Sequence, residues 1–161
     1  MNHHVNYTKI MAVANALSEL NSKVVFVGGA VISLYATRPI LEIRPTDDID
    51  VIIEILNYNE WVKLEEKLLA IGFQNMIDSK IVCRYTINGI IVDIMPTNDT
   101  SIGFTNIWYE SGFNESVQME LNGIKIQILN SCYFIATKIE AFKGRGNNDG
   151  RFWRFNLSLG K

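Results

Sequence analysis

The 161-residue chain is poor in cysteine and has no long hydrophobic run, and both absences exclude classes of protein. Its two cysteines, Cys83 and Cys132, are isolated, so they form neither a disulfide framework nor a zinc site. No apolar run approaches the length of a membrane span, and the N-terminal residues lack the architecture of a signal peptide. We therefore expect a cytoplasmic protein without a membrane segment.

Internal repeats and domain linkers are also lacking, and the composition is that of an ordinary globular domain. Hydrophobic residues make up 48% of the chain and charged residues 20%. The length fits one domain, which we place at residues 1–146, followed by a flexible basic tail at residues 147–161. The net charge of −2 is unevenly spread, because basic residues are in excess from Lys138 onward. This excess indicates either a phosphate-bearing partner near the C-terminus or a solubilising tail.

The pattern of hydrophobic residues predicts a mixture of helices and strands. Helical periodicity is found at residues 7–20, 57–71 and 132–143. Asn-Gly pairs at residues 88–89 and 122–123 predict two β-hairpins. Short apolar runs predict strands at residues 24–27, 51–55, 80–86, 90–95, 116–121 and 124–129. We expect an α+β fold with a small mixed sheet and helices packed mainly on one side.

The first motif with chemical meaning is a Gly28-Gly29 pair that follows the apolar run at residues 24–27. A short helix is predicted directly after it, at residues 30–36. Glycine lets the backbone approach a ligand closely, and free N–H groups at a helix start attract phosphate. A plain strand-to-helix turn also explains the pair. Its position ahead of an acidic strand is what favours a phosphate-binding turn.

The second motif is Asp48-Ile49-Asp50, which leads into the apolar run at residues 51–55. Side chains alternate between the faces of a strand, so Asp48 and Asp50 point the same way while Ile49 points into the core. Two carboxylates on one face repel each other and need a counter-charge. A divalent cation such as Mg²⁺, which prefers carboxylate oxygens, supplies it, and a structural salt bridge is the alternative.

A third carboxylate, Asp93, lies between Val92 and Ile94 in the second strand of the first predicted hairpin. A buried carboxylate is costly unless it is paired or bound to a metal. Asp93 is therefore a candidate third metal ligand, provided that this hairpin lies beside the strand of Asp48 and Asp50.

Two further pairs of residues are candidates for contacts with phosphate. Arg44 and Thr46 share a face with the aspartates if the segment is extended, so Arg44 either binds a nucleotide phosphate or pairs with Asp48. Lys138 and Arg145 are seven residues apart near the end of the last helix. Both could reach a phosphate, and both could equally be surface charges.

Four segments carry a resemblance to a known family: VGGA (residues 27–30), RPTDDIDV (44–51), VDIMP (92–96) and ATKIEAFKGRG (136–146). Together they make the chain resemble the DNA polymerase beta-like nucleotidyltransferase superfamily. The closer likeness is to its AbiEii-type toxin branch and to related bacterial nucleotidyltransferase-like proteins.

The resemblance implies transfer of a nucleoside monophosphate from an NTP to an acceptor hydroxyl, with release of pyrophosphate. It implies that Asp48 and Asp50 bridge two Mg²⁺ ions and that Asp93 holds the ion that activates the acceptor. It also implies that Gly28 and Gly29 hold the triphosphate.

The same resemblance implies that Lys138 and Arg145 neutralise the triphosphate or contact an RNA acceptor such as tRNA, and that an antitoxin protein is a partner. Residues 147–161 do not resemble the further helices with which the toxin branch continues. The alternative interpretation is a catalytically weak module that binds a nucleotide or a partner protein and retains the fold.

Overall fold

The computed structural model describes residues 2–35, 45–98 and 106–145. The strands of this part are β1 (Val24–Val27), β2 (Asp48–Ile53), β3 (Gln74–Asn75), β4 (Arg84–Ile87), β5 (Ile90–Pro96), β6 (Val117–Leu121) and β7 (Ile124–Ile128). The helices are α1 (Asn2–Leu17), α2 (Ile32–Tyr35), α3 (Tyr58–Ala70), α4 (Tyr109–Asn114) and α5 (Ser131–Arg145), and a 3₁₀ segment at Ser18–Lys23 follows α1. The predicted tail at residues 147–161 lies outside the described residues.

The described strands form a mixed sheet of seven, in the order β3-β4-β5-β2-β1-β7-β6. The central strand β2 pairs with β1 antiparallel and with β5 parallel. On the other side of β1, strand β7 runs parallel to it. The predicted α+β fold with a mixed sheet is thereby confirmed.

The central strands consist almost entirely of β-branched residues, which fit a pleated and buried surface. All four residues of β1 are buried. In β2, Ile49, Val51 and Ile52 are fully shielded from solvent. Asp48 and Asp50 are the polar exceptions in that strand, and they alternate with these apolar side chains.

Both predicted hairpins are confirmed, with β4 and β5 joined at Asn88-Gly89 and β6 and β7 joined at Asn122-Gly123. The two central residues of each turn have positive φ, which matches the twist of the flanking strands. The strand predicted from residue 80 begins only at Arg84. Residues 81–84 form a turn instead, in which the Arg84 N–H donates to the Ile81 carbonyl.

The helices pack through apolar side chains. In α3, the Asn57 side chain accepts a hydrogen bond from the Glu60 N–H at the helix start, and Trp61, Leu64 and Leu68 are buried. Of the helix predicted at residues 30–36, the described residues contain the turn α2 from Ile32 to Tyr35, and residue 36 lies outside them. No helix in the described part of the chain is long and apolar enough to cross a membrane.

Helix α1 fixes the segment that leads into β2. The Asn6 side-chain oxygen accepts a hydrogen bond from the Thr46 N–H at 2.9 Å, and the Lys9 ammonium donates to the Thr46 carbonyl at 2.6 Å. The Thr46 hydroxyl in turn donates to the Asp48 carbonyl at 2.8 Å. These contacts set the position at which β2 begins.

We predict that Asn6→Ala lowers the free energy of unfolding by about 1–3 kcal/mol, because the half-buried Thr46 N–H loses its acceptor. Asn6 is fully buried, whereas Asn15 on the same helix is exposed. Urea unfolding of Asn6→Ala beside Asn15→Ala separates the lost contact from the change in helix propensity. Equal stability of the two variants would show that α1 does not fix this segment.

Candidate functional site

Three carboxylates lie on one face of the sheet at its centre, and we call Asp48, Asp50 and Asp93 the acidic cluster. Asp50 on β2 is the register partner of Asp93 on β5. Paired residues on neighbouring strands point to the same face, and so do residues two apart on one strand. One carboxylate oxygen from each residue lies within 4.8 Å of the other two. The condition set for Asp93, that its hairpin lies beside β2, is met.

The glycine turn opens onto this cluster. Gly28 follows β1 directly and has φ +73°, a backbone conformation that residues other than glycine rarely adopt. A Cβ atom at this position would lie 1.9 Å from Asp50 Oδ2. The missing side chain therefore leaves the space that the Asp50 carboxylate occupies.

Glycine is favoured at position 29 for a similar steric reason, since a Cβ atom there would lie 2.8 Å from Thr46 Cγ2. Two of the amides that follow are used within the turn, where the Ile32 N–H donates to the Gly29 carbonyl and the Ser33 N–H to the Ala30 carbonyl. Because α2 has only one turn, its dipole adds little to phosphate binding. Close packing against Asp50 and Thr46 thus accounts for the glycine pair without a ligand.

Arg84 is a member of this site that the sequence-based prediction missed. Its Nε donates to Asp93 Oδ1 at 2.7 Å, and its Nη2 donates to Asp93 Oδ2 at 2.7 Å and to Asp48 Oδ2 at 2.9 Å. A two-residue turn at residues 88–89 places residue 84 opposite residue 93. The hairpin register, which the sequence does contain, was the signal that could have identified Arg84.

Burial and the neighbouring charges determine the electrostatics of the cluster. The pKa of Asp50 is raised from 3.8 to about 7, first by burial and then by the charges of Asp48 and Asp93. The positive charges of Lys138 and Arg84 act in the opposite direction. The hydrogen bond to Asp93 is the largest influence on the pKa of Arg84 and raises it above its ordinary value.

The remaining predicted residues have different outcomes. Lys138, on α5, contributes positive charge at Asp50, and its Nζ lies 5.6 Å from the centre of the Phe134 ring. Arg145 is the last residue of α5, and its side chain is not among those that the structure describes. Arg44 lies outside the described residues. The roles of all three in nucleotide binding remain predictions.

The acidic cluster has the composition of a site for a hard divalent cation. Carboxylate oxygens are the ligands that Mg²⁺ prefers, and the separation of these oxygens allows one ion to contact all three residues. After burial, the charges of Asp48 and Asp93 raise the pKa of Asp50, and a bound cation would offset these two charges. The three residues could therefore hold a metal ion.

No protein-family model matches this chain, and no curated protein matches it. Its fold is similar to that of a crystal structure of an antigenic nucleotidyltransferase-like protein from Paracoccidioides brasiliensis, with a TM-score of 0.61 and 16% sequence identity. The match covers 99% of this chain and 77% of that chain. The chain thus has a nucleotidyltransferase-like fold, as predicted. The AbiEii-type likeness stays a prediction.

We predict that Gly28→Ala destabilises the protein by about 1–3 kcal/mol more than Gly89→Ala, because the added methyl group collides with the Asp50 carboxylate. Gly89 is a matched control, since its φ is +76° and a Cβ atom there would meet nothing within 4 Å. Urea unfolding at neutral pH measures both. Equal losses would mean that the contact between Gly28 and Asp50 is not a constraint on the fold.

We predict that Asp50→Asn stabilises the protein in the presence of a chelator, by roughly 1–3 kcal/mol at pH 8. The folded-state pKa of Asp50 lies above its unfolded value, so the folded protein binds the extra proton and loses stability as pH rises from about 4 through 7. The amide side chain that replaces the Asp50 carboxylate does not ionise, so the variant does not lose stability in this way as the pH rises. Urea unfolding from pH 4 to pH 8 measures the difference, with Asp78→Asn as an exposed control. A difference between wild type and Asp50→Asn that does not grow with pH would contradict the prediction.

Proposed function

We propose that this chain is a metal-dependent nucleotidyltransferase that moves a nucleoside monophosphate from an NTP to an acceptor hydroxyl and releases pyrophosphate. The observation that carries the proposal is the convergence of Asp48, Asp50 and Asp93 beside the Gly28 turn. A cluster of hard ligands next to a backbone segment without side chains suits a metal-bound triphosphate. The nucleotidyltransferase-like fold supports this choice of chemistry.

In this proposal, Asp48 and Asp50 share two Mg²⁺ ions, and Asp93 is a ligand of the ion on the acceptor side. Bound divalent ions supply charge stabilisation for the entering and leaving oxygens of an in-line displacement. The sheet holds the three carboxylates in fixed register, so they are oriented before the substrate arrives. A bound cation would favour the ionised form of Asp50.

The nucleotide side of the proposed site is formed by the turn and by basic residues. Gly28 and Gly29 offer backbone without side chains, and Thr46 packs beside them. Lys138 supplies positive charge near Asp50 from α5. Arg44 and Arg145 are proposed as further phosphate contacts on the sequence pattern alone.

We further propose an AbiEii-like biological role for the chain: a cytoplasmic toxin with an RNA or tRNA acceptor and an antitoxin protein as partner. The support for this finer assignment is the sequence resemblance in residues 27–30, 44–51, 92–96 and 136–146.

A second candidate function is a nucleotide- or partner-binding module with weak catalysis. The observation that favours it is Arg84, which already pairs with Asp48 and Asp93 and so offsets part of the charge that a metal ion would otherwise offset. This candidate predicts that the protein binds nucleotide without releasing pyrophosphate from any acceptor.

The two candidates are separated by incubation of the full chain with labelled NTPs and Mg²⁺, together with total tRNA, protein or small hydroxylated acceptors. The transferase predicts label on one acceptor and stoichiometric pyrophosphate, both abolished by a chelator. Nucleotide binding without either product would favour the binding module.

We predict that Asp48→Asn weakens Mg²⁺-dependent NTP binding by more than about 100-fold, because the cluster loses a shared metal ligand. The neighbouring Asp47 is exposed and lies outside the cluster, so Asp47→Asn is the matched control and should bind as the wild type does. Titration calorimetry with and without a chelator makes the comparison. Unchanged binding in Asp48→Asn would remove the proposed function.

A further inference from the structure

The acidic cluster already has a cation, the guanidinium of Arg84. Its fork donates two parallel hydrogen bonds to Asp93, and one of the two nitrogens also contacts Asp48. Charge-assisted bonds of this bidentate kind are among the strongest that side chains form. Arg84 therefore ties together carboxylates that belong to two different strands, β2 and β5.

The bridging nitrogen contacts two carboxylate oxygens that an ion shared by Asp48 and Asp93 could also use. Arg84 Nη2 lies 2.7 Å from Asp93 Oδ2 and 2.9 Å from Asp48 Oδ2. A Mg²⁺ ion between the same two carboxylates would bind their oxygens at about 2.0–2.1 Å. The ion and the guanidinium would then be close enough to repel each other strongly. The two cations therefore compete for these oxygens.

The contact with Asp48 is the part of the bridge that can open. Asp93 is paired through both of its oxygens, and its side chain is only 9% exposed. Asp48 receives a single bond from Arg84, and its side chain is 34% exposed. Water can replace the lost bond at the exposed Asp48 carboxylate more readily than at the buried Asp93 carboxylate. Separation from Arg84 would therefore cost more free energy at Asp93.

We propose that Arg84 is an internal counter-cation that competes with a divalent ion for Asp48 and Asp93, and so weakens metal binding by the free protein. This inference rests on the proposed function, because it concerns the same metal. Metal binding then requires Arg84 to leave Asp48, whereas the pairing with Asp93 can persist at the edge of the site.

The opposite role is that Arg84 merely orients Asp93 as a metal ligand. Groups that orient ligands in this way strengthen metal binding, and their loss costs about 10–100-fold in affinity. An orienting residue needs contact with Asp93 only. Arg84 also bonds to Asp48 with the same nitrogen, which brings a full positive charge between two of the three ligands. The geometry therefore favours competition, and the two roles predict changes of opposite sign.

The test is a calorimetric titration of the full chain with Mn²⁺ and Mg²⁺, in the wild type and in Arg84→Met. We expect Arg84→Met to bind the ion at least about tenfold more tightly, because a unit positive charge is removed from the site. Lys63→Met is the matched control, since it removes one charge from an exposed position on α3 and should leave the affinity unchanged.

A second measurement uses the wild type alone and does not depend on the folding of a variant. In protein with ¹⁵N-labelled arginine and a chelator, the two Nη atoms of Arg84 should give separate signals. The guanidinium rotates slowly, because Nε and Nη2 are both bound to Asp93. Saturation with Mg²⁺ should release Nη2 from Asp48 and so shift the Nη2 signal, while the bidentate pairing with Asp93 keeps the two Nη signals separate. Signals that persist unchanged while the ion saturates its site would overturn the competition.

The outcomes separate this inference from the proposed function. Equal or weaker metal binding in Arg84→Met, with metal still bound by the wild type, would overturn the role of Arg84 and leave the transferase standing. Binding of metal by neither protein would overturn both. Tighter binding in Arg84→Met, including the case in which only that variant binds, supports the competition.

Discussion

The mutual repulsion of three carboxylates on one face of a buried sheet is the constraint that shapes this site. Burial and the charges of Asp48 and Asp93 raise the pKa of Asp50 to about 7, although Arg84 and Lys138 oppose the shift. Register pairing between β2 and β5 prevents the side chains from moving apart. A half-buried carboxylate held beside two others is costly for folding alone, and a divalent cation is a ligand that relieves this cost.

Much of the fold follows from local patterns in the sequence. The Asn-Gly pairs predict both hairpins because their φ values suit a two-residue turn, and the apolar stripe of α3 predicts its buried face. Alternation along a strand places Asp48 and Asp50 on one face. The parallel pairing of β2 with β5 joins segments that are distant in the sequence, and no local pattern fixes it. The role of Asp93 could therefore be stated only as a condition, which the sheet order satisfies.

Only part of the environment of Arg84 could be predicted from the local sequence. A short hairpin fixes the register of its strands, so Asn88-Gly89 already places Arg84 opposite Asp93. Its second contact, with Asp48, depends on the order of the sheet and could not be predicted from the hairpin. The same limit applies to Lys138, whose charge reaches Asp50 only because α5 packs near the cluster. The glycine turn is the opposite case. Its contact with phosphate remains a prediction, whereas its contact with Asp50, which the sequence did not indicate, explains why glycine is needed there.

The central claim is that Asp48, Asp50 and Asp93 together form one cation site beside Gly28. Anomalous diffraction from crystals of the full chain soaked in Mn²⁺ tests it most directly, because manganese accepts the same carboxylate ligands as magnesium and can be located by its own signal. The account predicts an anomalous peak between the three carboxylates. A well-occupied manganese ion elsewhere, with no peak within coordination distance of these three residues, would contradict it.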